Sequence, residues 1–126
     1  MKKDTVSYVS FGGVPCREYI SLIAEGDIFF DQIHSLDQGV NALLAMACGK
    51  VVFSGFCAEF LERYHLNENA IGIDAKPDPL YLASMLNEIE VGSIDVEKVS
   101  FESRKFVENF HDHRVVAEQF IREWRK

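Results

Sequence analysis

The sequence is poor in most of the features that would classify it at a glance. It holds three cysteines, three prolines and one tryptophan in 126 residues. Cys16, Cys48 and Cys57 cannot all pair and none stands in a CxxC spacing, so a disulfide scaffold is excluded and reduced thiols are expected. Positive charge is scarce, with 13 Lys and Arg against 20 Asp and Glu and a formal charge of -7. A general nucleic-acid surface needs clustered cations to meet phosphate, so nucleic acid is not an expected partner. No apolar run approaches the ~18 residues that span a bilayer, which excludes a transmembrane helix. The opening MKKDTVSYVSF has two lysines but no long apolar stretch before a small-residue cleavage site, so no signal peptide is expected. Internal repeats, low-complexity stretches and long linkers are also missing. What remains is an ordinary globular composition, 48% hydrophobic and 26% charged, with room for a single domain over residues 1–126 and a cytoplasmic setting.

Strand-like and helix-like segments alternate along it. Residues 6–11 (VSYVSF) are β-branched and aromatic and stop at Gly12-Gly13, a strand and then a turn. Pro15 fits the start of a helix whose apolar face is Cys16, Tyr19, Ile20 and Ile23 and which Gly26 ends. Residues 27–31 (DIFFD), 51–53 and 70–74 (AIGID) supply three more short strands, and residues 40–48 and 57–64 two more helices. Asp78 followed by Pro79 is a cap and first-turn pair, with Leu82, Leu86 and Ile89 on one face behind it and Gly92 as the break. Two further helices are expected. The first starts at Ser93 or Asp95 and is apolar near its end at Phe106, Val107 and Phe110; the last carries the stripe Val116, Phe120 and Trp124, with Ala117 and Ile121 beside it. Short apolar strands alternating with helices predict an α/β fold with a mostly parallel sheet.

In such a sheet ligands bind beyond the carboxyl ends of the strands. That rule selects the loops at residues 12–14, 32–38, 54–56 and 75–78 as one rim, carrying Gly12, Gly13, His34, Asp37, Gln38, Ser54 and Gly55. Turns are rich in these residue types whatever they do, so no single loop is diagnostic. The stretch DQGVNALLAMACGK from Asp37 to Lys50 is the most informative. There the amides of Gly39, Val40 and Asn41 fall at a helix N-terminus, unpaired and at the positive end of the dipole, where a phosphate or diphosphate binds well. Ala42, Ala45 and Ala47 let the helix lie close to the sheet. A buried helix with Gly39 as a mere entry turn accounts for the same residues, and the residues alone leave both readings open.

The runs Asp27-Ile28-Phe29-Phe30-Asp31-Gln32, then Gly39, then Asn41 onward to AMACGK, resemble the C-terminal nucleotide-sugar domain of GT-B glycosyltransferases, more narrowly the group-1 (family 4) retaining enzymes. Ser103-Arg104-Lys105-Phe106-Val107 and His111-Asp112 are similar to the segment before that family's terminal helices, so the resemblance covers roughly residues 6–125. It implies a Rossmann-like parallel sheet and a partial GT-B C-terminal domain, without the N-terminal acceptor domain and the first βα units. It implies transfer of a sugar from a nucleoside-diphosphate sugar to a glycan or other acceptor, with no cofactor and no metal. By resemblance the donor lies on Gly12, Gly13, Gln32, His34, Asp37, Gln38, Gly39, Val40 and Asn41. It also implies a location peripheral to the membrane within a longer chain, with either a missing N-terminal domain or self-association through the C-terminal helices.

The family's pair of glutamates, eight residues apart, falls here on Leu36 and Leu44, and its proline after Gly-Lys is Val51. Leucine cannot hydrogen-bond a sugar hydroxyl, so no catalytic residue is assigned and the isolated chain is not expected to turn over. Lys50 lies at the far end of its helix and does not replace the missing cations that grip a diphosphate. A non-catalytic relative that keeps the fold as a binding module is the first alternative. A flavodoxin-like or receiver-like domain is the second, with Asp31 and Asp74 ending strands but no paired acids or lysine loop. Elsewhere the bland expectation stands: His111-Asp112-His113 as a helix start capped by Asp112, Cys48 as a buried thiol, and the Val116/Phe120/Trp124 stripe as core.

Overall fold

The computed structural model describes residues 7–126. Three strands form one parallel sheet in the order β1 (Ile28–Phe30), β2 (Val51–Ser54), β3 (Ile73–Asp74). The register pairs Ile28 with Val51, Phe30 with Phe53, Phe53 with Ile73 and Ser54 with Asp74. Six helices surround it: α1 (Cys16–Glu25), α2 (Val40–Ala47), α3 (Ala58–Tyr64), α4 (Pro79–Glu90), α5 (Val96–Phe110) and α6 (His113–Trp124). This is the α/β parallel sheet with flanking helices that the alternation of segments predicts.

Strand β2 is central, and all four of its residues are buried. Its alternation sorts the core into two faces. Val52 joins Ile23 of α1, Ala42, Ala45 and Met46 of α2, Phe60 of α3 and Phe106 of α5. Val51 and Phe53 join Ile73, Ala75, Ile94 and Val99, with Leu82, Met85 and Ile89 of α4 packed against them. Helix α5 thus contributes Val99 to one face and Phe106 to the other. Helices on both faces are what a parallel sheet requires, because its crossovers return the chain over the sheet.

Helix ends follow the local chemistry. Asp78 accepts from the amides of Leu80 (2.9 Å) and Tyr81 (3.3 Å) with Pro79 in the first turn. Asp95 caps α5 through the Lys98 amide, and Asp112 caps α6 through the Arg114 amide. The far end of α2 closes through Gly49 at φ 70°, with the Gly49 amide on the Met46 carbonyl and the Lys50 amide on the Ala45 carbonyl. Two cations finish the neighbouring carbonyls: Lys50 Nζ donates to the Ala24 carbonyl (2.8 Å) and Arg104 Nη1 to that of Ala47 (2.7 Å).

Three expectations are corrected. No strand forms over residues 7–11 (Val6 lies outside the described residues); Tyr8 and Val9 are exposed and Phe11 packs its ring on Tyr19 at 5.5 Å. β-Propensity marks residues that suit a pleated surface, but a strand also needs a partner, and these residues have none. Cys48 is exposed, because it caps α2 on the turn that leaves the core. The stripe on α6 is not core: the helix has no buried residue, and Phe120 and Trp124 are 59% and 82% exposed. Among the described residues no helix is long and apolar enough to cross a membrane.

These differences in burial predict opposite responses. Met46→Ala should lower the unfolding free energy in urea by about 2–5 kcal/mol. Phe120→Ala should leave it within about 0.5 kcal/mol.

Candidate functional site at the carboxyl rim of the sheet

All three strands run in one direction, so Asp31, Ser54 and Asp74 emerge along one edge. Side-chain bonds tie these ends together. Ser54 Oγ, on a residue fully buried at the end of β2, donates to Asp31 Oδ2 at 3.0 Å. The Phe56 amide donates to Asp74 Oδ1 at 3.0 Å. The loop from β1 to α2 then lies directly on the backbone after β2. A Cβ added to Gly55 would come within 2.5 Å of both the Ser35 carbonyl oxygen and the Asp37 amide nitrogen. The Cys57 amide donates to the Leu36 carbonyl (3.3 Å), and the Ser35 hydroxyl donates to the carbonyl of Asp37. Glycine at 55 is therefore a requirement of close backbone approach.

That loop delivers Gly39 as the N-cap of α2, extended at φ -89° and ψ 179° and with no side-chain cap. The first-turn amides of Val40 and Asn41 are left without a side-chain acceptor from the cap, as a helix N-terminus that could hold an anion would have them. The surroundings differ from the expected site in one respect. Asp31 Oδ2 and Gln32 Nε2 each lie 3.9 Å from where a Gly39 Cβ would stand, so the chain already holds a carboxylate near the positive end of the dipole.

The other predicted residues separate into two groups. Gln32, Asp37, Gln38, Gly39, Val40 and Asn41 are brought together on the loop and the first turn of α2, and His34 projects from the same loop, exposed. Gln38 is half-buried, and its Oε1 is enclosed without a hydrogen-bond partner, an acceptor that lacks a donor. Gly12 and Gly13 face open space: a Cβ on either would meet nothing within 4 Å. No close approach explains them; Gly13 is needed for its left-handed φ of 67°. Of the four rim loops, those at residues 32–38, 54–56 and 75–78 follow strands, and that at residues 12–14 follows none among the described residues.

Electrostatically the rim is acidic. Burial raises the pKa of Tyr19, and the charge of Asp31 adds to it. Burial also raises that of Tyr81, helped by Asp74 and Glu68. His111 is pushed below the ordinary imidazole range by burial, with the Asp37 charge opposing the shift. The His111 ring packs on Phe106 at 5.5 Å, and its Nε2 is enclosed with no partner. Residue patterns alone assign His111 to a helix start. Asp112 does cap α6, but only the fold brings His111 within the field of Asp37. Lys76 is a second rim residue that spacing overlooks; it follows β3 and lies over the Tyr81 ring at 4.7 Å.

Both positions where resemblance places glutamate are open to solvent, Leu36 at 76% and Leu44 at 37% exposure. Helix α2 buries only the side that carries Ala42, Ala45 and Met46. No family model matches the chain, and comparisons with characterised proteins and with solved structures find no match.

Two outcomes follow from this geometry. Gly55→Ala should cost about 1–3 kcal/mol of stability in urea, because backbone and not a flexible side chain must give way. The second concerns pH. The folded pKa of His111 is depressed, so its contribution is fully present above the unfolded value of about 6.5 and is lost as pH falls through the folded pKa. Between pH 7 and 5 the wild type should therefore lose more thermal stability than His111→Gln.

Proposed function

We propose that this chain is the donor-binding part of a sugar-nucleotide-dependent glycosyltransferase, acting in the cytoplasm and peripheral to a membrane. In this reading a second domain presents the glycan acceptor. The observation that carries it is the uncapped first turn of α2 at the carboxyl rim, where Gly39 offers backbone amides beside polar side chains. The diphosphate takes the amides of Gly39, Val40 and Asn41. Ribose and sugar hydroxyls, which can donate, suit the carboxylates of Asp31 and Asp37. An anion that also carries many hydroxyls answers both features of the rim. The protein's share in transfer is positioning the donor and stabilising the departing diphosphate.

One observation favours a second reading, a binding module of the same fold that does no chemistry. Leu36 and Leu44 put apolar side chains in solvent where the resemblance expects donor-site carboxylates.

Titration with UDP- and GDP-sugars, followed by amide NMR, tests the site. Shifts confined to residues 31–41 and 54–56 are expected, and an unchanged spectrum at millimolar ligand would sink the proposal. Asp31→Asn removes a carboxylate that accepts the donor's hydroxyls and repels its phosphates, so it should weaken nucleotide-sugar binding relative to inorganic diphosphate by about 1 kcal/mol, roughly fivefold. Leu44→Glu should leave stability within about 0.5 kcal/mol. Tighter donor binding by this variant supports the transferase reading, and unchanged binding supports the module.

A further inference from the structure

Helix α6 is the least integrated element of the fold. It touches α5, and only Val115 and Val116 of its apolar residues are even half-buried. At 100° per residue, Phe120, Trp124, Ala117 and Ile121 follow one another around the opposite, exposed side. Phe120 and Trp124 rest edge to face at 6.3 Å, so the strip is a formed aromatic surface. Next to it Ile121, Arg122 and Arg125 line one shallow hollow with Glu118.

Charge identifies what this surface meets. From His113 onward the chain carries Arg114, Arg122, Arg125 and Lys126 against Glu118 and Glu123, although its formal net charge is -7. Lys126 pairs with Glu123 at 2.6 Å and Arg114 lies 3.7 Å from Asp112. Arg122 and Arg125 make no ion pair among the described residues. Arg122 and Arg125 share their hollow with one carboxylate, Glu118, so the patch beside Ile121 keeps a net positive charge, and an exposed Trp, Phe and Ile strip next to it suits an apolar phase edged with anions. A bilayer interface supplies both within 5–10 Å of depth. A second copy is a poorer match: stable protein interfaces use about 20–30 residues a side, and α6 has 12.

We propose that α6 is an interfacial helix that lies on an anionic phospholipid surface, with Phe120, Ile121 and Trp124 among the acyl chains and Arg122 and Arg125 at the headgroups. The inference rests on α6 alone and not on the donor site, so failure of either leaves the other standing.

Trp124 is the chain's single tryptophan and reports on the surface directly. Its emission should shift to the blue with vesicles of equal parts phosphatidylglycerol and phosphatidylcholine, and should not shift with phosphatidylcholine alone. Arg122→Gln and Arg125→Gln should each weaken partitioning roughly fivefold. Phe120→Ser should abolish the shift while circular dichroism stays unchanged, since Phe120 is exposed and the helix has no fully buried residue. No shift with anionic vesicles overturns the proposal, as does equal partitioning into neutral ones. A blue shift that grows with protein concentration in the absence of lipid overturns it in favour of a second copy.

Discussion

A strand with no face left for water, Val51–Ser54, sets the conditions for everything else in this molecule. Because it is paired in parallel on both sides, each neighbour must be reached by a crossover, and the crossovers cover both faces with helices. Successive residues point opposite ways, so Val52 and the pair Val51/Phe53 found two separate clusters. The strand's polar end, Ser54, is equally enclosed and must find a partner inside the protein. It finds Asp31, and that bond holds the end of β1 and the start of its loop at the rim.

The rim inherits its chemistry from this arrangement. Asp31 and Asp74 serve the ends of the sheet, and Asp31 also sits near the uncapped turn of α2. A ligand that binds there meets carboxylates as well as amides, which disfavours a bare anion and favours one that brings hydroxyl donors. The proposed nucleotide sugar has that character. With leucine exposed at positions 36 and 44, the carboxylates that the proposal has facing the donor are Asp31 and Asp37.

Charge is distributed unevenly over the fold. The sheet rim is acidic, while the α6 end collects arginines beside exposed aromatic rings. The two regions are built by different means. The rim is held by backbone contact at Gly55 and by buried hydrogen bonds, whereas α6 is held by its own helical bonds and a narrow contact with α5. Chemistry at the rim is therefore coupled to global stability, and changes on α6 are not.

Local rules alone were enough for the helices. Pro79 after Asp78, Asp95, Asp112 and Gly49 mark helix ends because capping depends on near neighbours and backbone φ. The three strands and the uncapped Gly39 were legible for the same reason: an apolar run ending in polar residues, and a glycine before a run of small ones. Only the tertiary structure decided what lay on the other side of each residue. It left residues 7–11 without a strand partner, put Cys48 and the α6 stripe in solvent, set Asp31 near the first turn of α2, and brought His111 within the field of Asp37. Periodicity shows that a residue is apolar or can cap; burial, pairing and electric field come from residues far away in the chain. In this protein they come through one buried strand and the loops that must close over its end.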